Sequence, residues 1–96
     1  HLTALAASKA LTHQAVQALN TLPPQAATKI VSQAKLFSSD LAQKVTYDCL
    51  QFHGGYGFIE EYPICRLYRD VRLMTIGGGT SDVMKEIIWK MTELGA

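Results

Sequence analysis

The apolar positions of the first twenty residues recur at helical spacing. Ala4, Ala7, Leu11, Ala15, Ala18 and Leu22 line one side, and Leu5, Val16 and Leu19 widen it. Side chains this small let neighbouring helices approach closely. Pro23 and Pro24 break the pattern, and a proline is tolerated in the first turn of a new helix. From Pro24 to about Phe52 the pattern predicts one helix of roughly 40 Å. Its buried stripe is Ile30, Ala34, Phe37, Leu41, Val45 and Phe52. Lys29, Gln33, Asp40 and Lys44 lie opposite, interrupted by Leu36, with Asp40 and Lys44 at the i,i+4 spacing of a stabilising pair. The short proline turn makes these two helices antiparallel neighbours.

Punctuation is denser in the rest of the chain. His53-Gly54-Gly55-Tyr56-Gly57 ends the long helix, with Gly54 as its left-handed C-cap. Phe58 to Tyr62 is a linker, and Tyr62-Pro63 sets a boundary because the residue before proline avoids the helical region. A shorter helix runs from Pro63 to about Leu73, with Ile64, Leu67, Tyr68 and Val71 facing inward. Gly77-Gly78-Gly79 is the second break. Thr80 or Ser81 caps a last helix reaching about Leu94, and Asp82 suits its positive end. Val83, Ile87, Met91 and Leu94 make its stripe. No period-2 pattern of a strand is present. The expected fold is therefore an all-α, up-and-down helical bundle.

Composition narrows the function classes. Ninety-six residues make one domain at most, and 48% hydrophobic content supports a modest core. A formal net charge of +1 argues against nucleic acid and charged membrane surfaces as partners. No apolar run reaches the roughly 18 residues of a membrane span. Cys49 and Cys65 give neither a metal pattern nor a disulfide framework and read as buried small hydrophobes. The helical pattern begins at His1 with no capping residue, as in a piece of a longer protein. Such a piece lacks a bundle partner and is expected to self-associate. Cytoplasm is the default compartment, with the mitochondrial matrix compatible for a eukaryotic source.

Two loops carry the candidate chemistry. Gly77 to Asp82 puts bare backbone at a helix start, where free N–H groups and the helix dipole attract phosphate. The GxxxxGK[ST] and GxGxxG patterns are absent, and on residues alone a capped interhelical turn is the favoured reading. Gln51 to Gly57 has the same ambiguity, again weighted towards structure. Glu60 and Glu61 read as solvated surface. Arg66, Arg69 and Arg72 read as ion-pair partners of Asp70, Glu60 or Glu61, and Trp89 as helix packing or a subunit contact. His1, His13 and His53 are too scattered to hold a metal.

Together the two loops resemble the C-terminal helical domain of the acyl-CoA dehydrogenases. The family's Q-x-x-G-G-x-G stretch corresponds to Gln51-Phe52-His53-Gly54-Gly55-Tyr56-Gly57. Its E-Y-P segment and following Y-R-D-x-R correspond to Glu61-Tyr62-Pro63 and Tyr68-Arg69-Asp70-Val71-Arg72. Its I-x-x-G-T-[SN]-[DE] turn corresponds to Ile76-Gly77-Gly78-Gly79-Thr80-Ser81-Asp82. The resemblance implies residues 1–96 are part of that domain, lacking its first helix. It implies an FAD-dependent oxidoreductase of fatty-acid metabolism that removes hydrogens from the α and β carbons of an acyl-CoA. Such enzymes are homo-oligomers, dimers or tetramers, that pass electrons to a separate acceptor. By carry-over, Gln51, Phe52, His53, Gly54 and Gly55 reach a neighbouring subunit's FAD. Thr80, Ser81 and Asp82 lie against the FAD of their own subunit, and Gly79 approaches the thioester.

Where many family members carry a glutamate base, just before the G-T pair, this chain has Gly78. No catalytic residue is therefore assigned in this chain. In some branches of the family the base stands on an earlier helix of the domain, which here would lie upstream of His1. Two alternatives stand beside this reading: a non-dehydrogenase relative of the same fold, oxidase or repair-associated, and a stand-alone helical self-association module.

Overall fold

The computed structural model describes residues 1–93. Four α-helices follow in chain order: α1 (Leu2–Thr21), α2 (Pro24–His53), α3 (Pro63–Val71) and α4 (Ser81–Glu93). Short 3-10 turns, Gly54–Phe58 and Arg72–Thr75, close α2 and α3. The fold is all-α, with no strand among the described residues.

α2 is the axis of the molecule. Its 30 residues span about 45 Å, nearly the 49 Å long dimension of the domain. α1, α3 and α4 all pack on it. A helix contacted from several sides needs small residues at its crossing points, and α2 buries Ala27, Ser32, Ala34 and Ser39. α1 meets it through Ser8, Ala15 and Ala18, and the Ser8 and Ser38 hydroxyls share a hydrogen bond of 2.8 Å. His1 Nε2 donates to Asp48 Oδ2 at 2.6 Å, tying the start of α1 to the far end of its antiparallel neighbour.

The helix boundaries follow the expected punctuation. Pro24 and Pro63 open α2 and α3, and Gly54 ends α2 with φ 60°. Its ψ of −138° places it outside the left-handed helical well expected for the cap. α3 stops at Val71, two residues short of expectation, where the last turn tightens to 3-10 geometry.

Burial departs further from the pattern. Phe52, assigned to the buried stripe of α2, is 87% exposed. Phe37 is also exposed, while Ile30, Leu41 and Val45 are half-buried. Leu5, Val16, Leu19 and Leu22 face outward, since α1 touches α2 along a narrow strip of small residues. On α3, Leu67 points outward while Ile64 is buried. On α4, Met84 is buried and Val83 exposed; Leu94 lies outside the described residues. Trp89 is 62% exposed, which excludes the internal packing role expected for it. Cys49 and Cys65 are free thiols, half-buried rather than buried. No helix of the described residues is long and apolar enough to cross a membrane.

Candidate functional site

The structure gathers the candidate residues into two clusters, both attached to α2. One surrounds the start of α4. Thr80 is the N-cap: its Oγ1 accepts from the Val83 N–H at 3.1 Å, and its carbonyl accepts from the Met84 N–H at 2.9 Å. Gly78 and Gly79 have φ of 69° and 108°, so the turn into α4 uses backbone that side chains resist. A Cβ on Gly79 would also lie 2.5 Å from Met84 Cε. The Gly77 N–H donates to the Leu73 carbonyl at 2.6 Å, closing the turn behind α3.

α2 holds this turn from the side. Lys35 Nζ donates to the Gly79 carbonyl at 2.5 Å, and Ser81 Oγ donates to Asp40 Oδ1 at 3.1 Å. Asp40 therefore faces α4, and the expected ion pair with Lys44 is not among those formed by the described residues. Arg72 donates to the hydroxyl of buried Thr75, which itself donates to the Arg72 carbonyl at 3.0 Å. Asp40, Ser81, Arg72 and Thr75 line an open cleft of about 490 Å³ together with Gln43, Ile76, Thr80 and Asp82. Its wall offers carboxylates, hydroxyls, an amide and one guanidinium.

The second cluster is the free end of α2. Gln51, Phe52, His53, Gly54 and Gly55 are all exposed. The His53 Nδ1–H donates to the Cys49 carbonyl at 2.8 Å, satisfying one of the orphan carbonyls of the helix end. Tyr62 stacks obliquely on Tyr56 at 5.5 Å and meets His53 at 6.5 Å. A smaller hollow of about 300 Å³ lies between Tyr47, Leu50, Gln51, Gly54, Phe58 and Tyr68. Of the expected ion pairs, Arg69 with Glu60 forms, exposed and at 3.4 Å.

The two clusters are separate sites. Ten residues of continuous helix divide Asp40 from Gln51, a rise of about 16 Å. They cannot grip the same phosphate group. Sequence reasoning missed Lys35 and Gln43 and gave Asp40 and Arg72 other partners. Lys35 sits between Ala34 and Leu36, and that interruption of an apolar run was its one signal.

Comparison with known proteins places this architecture. The family model described as "Acyl-CoA dehydrogenase, C-terminal domain" matches residues 1–92. The long-chain specific acyl-CoA dehydrogenase of Sus scrofa mitochondria is 53% identical over 57 residues, 59% of this chain and 13% of the relative. The 3-(aryl)acrylate reductase of Clostridium sporogenes is 43% identical over 86 residues, 90% of this chain and 22% of the relative. The caffeyl-CoA reductase-Etf complex subunit CarC of Acetobacterium woodii is 40% identical over the same 90% share of this chain. The matched stretch is thus less than a quarter of the length of these relatives. With four helices in this order and a family model spanning nearly all of it, the chain belongs to the acyl-CoA dehydrogenase family, as its C-terminal domain.

Proposed function

We propose that this domain serves an FAD-dependent enzyme that oxidises the α,β bond of an acyl-CoA thioester, contributing cofactor contacts and subunit interface. Gly55 carries the reading. Its φ is not positive, and a Cβ there would meet nothing within 4 Å. Neither backbone conformation nor packing within the chain calls for glycine at that position. A residue left bare for no internal reason fits a surface that a group outside the chain approaches closely. Gly55 also lies in the Gln51–Gly57 stretch that resembles the family's cofactor loop.

The cleft at α4 is chemically suited to a flavin nucleotide. The N–H groups of Ser81 and Asp82 open a helix and can meet phosphate oxygens at its positive end. The carboxylates of Asp40 and Asp82 repel a bare anion but accept from hydroxyls, and Arg72 offsets them. A group with both hydroxyls and phosphate oxygens fits this set, as FAD does between its ribityl chain and diphosphate. Thr80, Ser81 and Asp82 would hold it here. By the resemblance to the family's loop, Gln51 to Gly55 would meet the cofactor of a neighbouring subunit. Bound FAD would supply the hydride-accepting centre. The chain's own residues would bind and orient it, and the Gly79 backbone would approach the thioester.

No proton acceptor stands at Gly78, whose φ of 69° itself favours glycine. General-base catalysis contributes about 10²–10⁴-fold, so the base belongs to another part of the protein. Electrons would pass to a separate carrier. The assembly would work in the cytoplasm, or in the mitochondrial matrix of a eukaryotic source; the pig relative's name calls that protein mitochondrial. The intact protein is expected to purify with flavin that acyl-CoA bleaches anaerobically. A protein that neither carries nor acquires flavin would sink this reading.

A second reading concerns direction. The two reductases match 90% of the chain, whereas the pig dehydrogenase matches 59%. The same domain would then serve reduction of an activated acrylate. Reoxidation of the reduced flavin by an enoyl thioester, without bleaching of the oxidised form by the saturated one, would select it.

A further inference from the structure

The turn from Ile76 into α4 has no side chains to hold its own shape. Past the Gly77 N–H, Gly78 and Gly79 both occupy positive φ, and glycine passes between backbone wells at little cost. Met84 of α4 packs against Gly79, and α2 restrains the turn from outside, through Lys35 on Gly79 and Asp40 on Ser81. The Lys35 bond is charge-assisted and partly buried, the stronger kind. It also acts at a telling atom. The peptide joining Gly79 to Thr80 is planar and trans, so an oxygen held against α2 sends the Thr80 N–H the opposite way. The Thr80 carbonyl and hydroxyl are engaged inside α4, while its N–H finds no acceptor among the described residues. Lys35 thus sets the direction of an unused donor beside the cleft. Drawing charge onto the carbonyl oxygen polarises that N–H further.

We infer that Lys35 is a positioning residue for the cofactor-facing turn: it holds the Gly79–Thr80 peptide in one orientation, 44 residues away in sequence, and keeps the Thr80 N–H aimed at the bound group. This rests on the FAD reading above. The competing account is that a half-buried lysine merely takes the nearest acceptor while its stem covers apolar surface. That account ties the charge to solubility and packing, with no effect on the turn.

The test compares the intact protein with Lys35→Met, which keeps the stem and removes the charge, and Lys35→Arg, which keeps a charged donor. Two quantities are read: hydrogen exchange of the amides in residues 77–82, and the dissociation constant for FAD. In Lys35→Met the turn amides exchange about 10-fold faster with α1 unchanged, and FAD binds about 10-fold more weakly, as expected for losing one charge-assisted hydrogen bond. In Lys35→Arg both stay within about 3-fold of the parent. Either quantity unchanged in Lys35→Met overturns the inference. Lys35→Gln, read the same way, replaces Lys35→Met if that variant does not fold. A parent protein that binds no FAD refutes the cofactor reading, and the exchange measurement then decides the role of Lys35 on its own.

Discussion

The two glycine-rich helix ends look alike in sequence and differ in what holds them. The start of α4 is anchored from several directions: Lys35 and Asp40 reach it from α2, Thr80 caps it, and Met84 fills the space over Gly79. The end of α2 has bonds of local origin, such as His53 to Cys49 and the Ile59 N–H to Tyr56, and its aromatic residues lie in the open, with Phe58 79% exposed. One is a turn the domain completes by itself. The other has glycines that the chain itself calls for, Gly54 by its φ of 60° and Gly57 by its approach to Leu50, and one, Gly55, for which it supplies no reason. Glycine is set by backbone and packing at Gly79, whereas at Gly55 neither φ nor any neighbour within the chain requires it; the proposed cofactor contact would supply the reason.

That contrast is broken most forcefully at Gly79. Gly79→Ala would force an L-residue to φ 108° and drive a methyl group to 2.5 Å from Met84 Cε. The terminal carbon of Met84 can shift, but the backbone cannot avoid the strain. Denaturant unfolding of the intact protein should show a loss of about 3 kcal/mol from strain and crowding together. A loss under about 0.5 kcal/mol would mean that the turn does not depend on glycine.

Thr80→Ala comes next. It removes the bond from the Thr80 hydroxyl to the Val83 N–H but leaves the main-chain bond from Met84 to Thr80. About 1 kcal/mol should be lost, the usual cost of a missing N-cap, and Thr80→Ser should restore most of it. Equal losses in both variants would assign the effect to the threonine methyl group rather than to the cap.

The helices themselves were legible in the sequence because their ends are set by local chemistry. Pro24 and Pro63 can only begin a helix, Gly54 ends one, and Thr80 caps one, whatever the rest of the chain does. Burial was less legible, since it depends on which neighbours exist. Phe52 continues the apolar stripe of α2 faithfully, yet it is 87% exposed, while His53 and Gln51 beside it face residues of α3 and its N-cap. The glycine-rich stretches were visible as candidate sites, but not the groups that hold one of them. Asp40 shows a plausible i,i+4 partner in Lys44 and instead takes Ser81, 41 residues ahead. Lys35 has no local signature that points to Gly79, because the contact exists only once α4 has docked on α2.

The smallest stability effect is expected at Gly55, and it sharpens the comparison most. Gly55→Ala adds a methyl group where φ permits it and where no atom of the chain lies within 4 Å. Surface substitutions of this kind change stability by no more than about 0.5 kcal/mol, and the lower backbone entropy of the unfolded alanine chain favours the variant slightly. Seen from within the domain, the change is therefore nearly silent. Between subunits it is not silent if a cofactor lies against that backbone, because the added carbon then stands between the Gly55 peptide and the group it meets. Unfolding measurements should leave the variant unchanged while its FAD dissociation constant rises about 10-fold, a difference of about 1.4 kcal/mol in binding alone. A variant unchanged in both measurements would show that nothing approaches Gly55, and would remove the distinction between a turn built for the fold and a surface built for a partner.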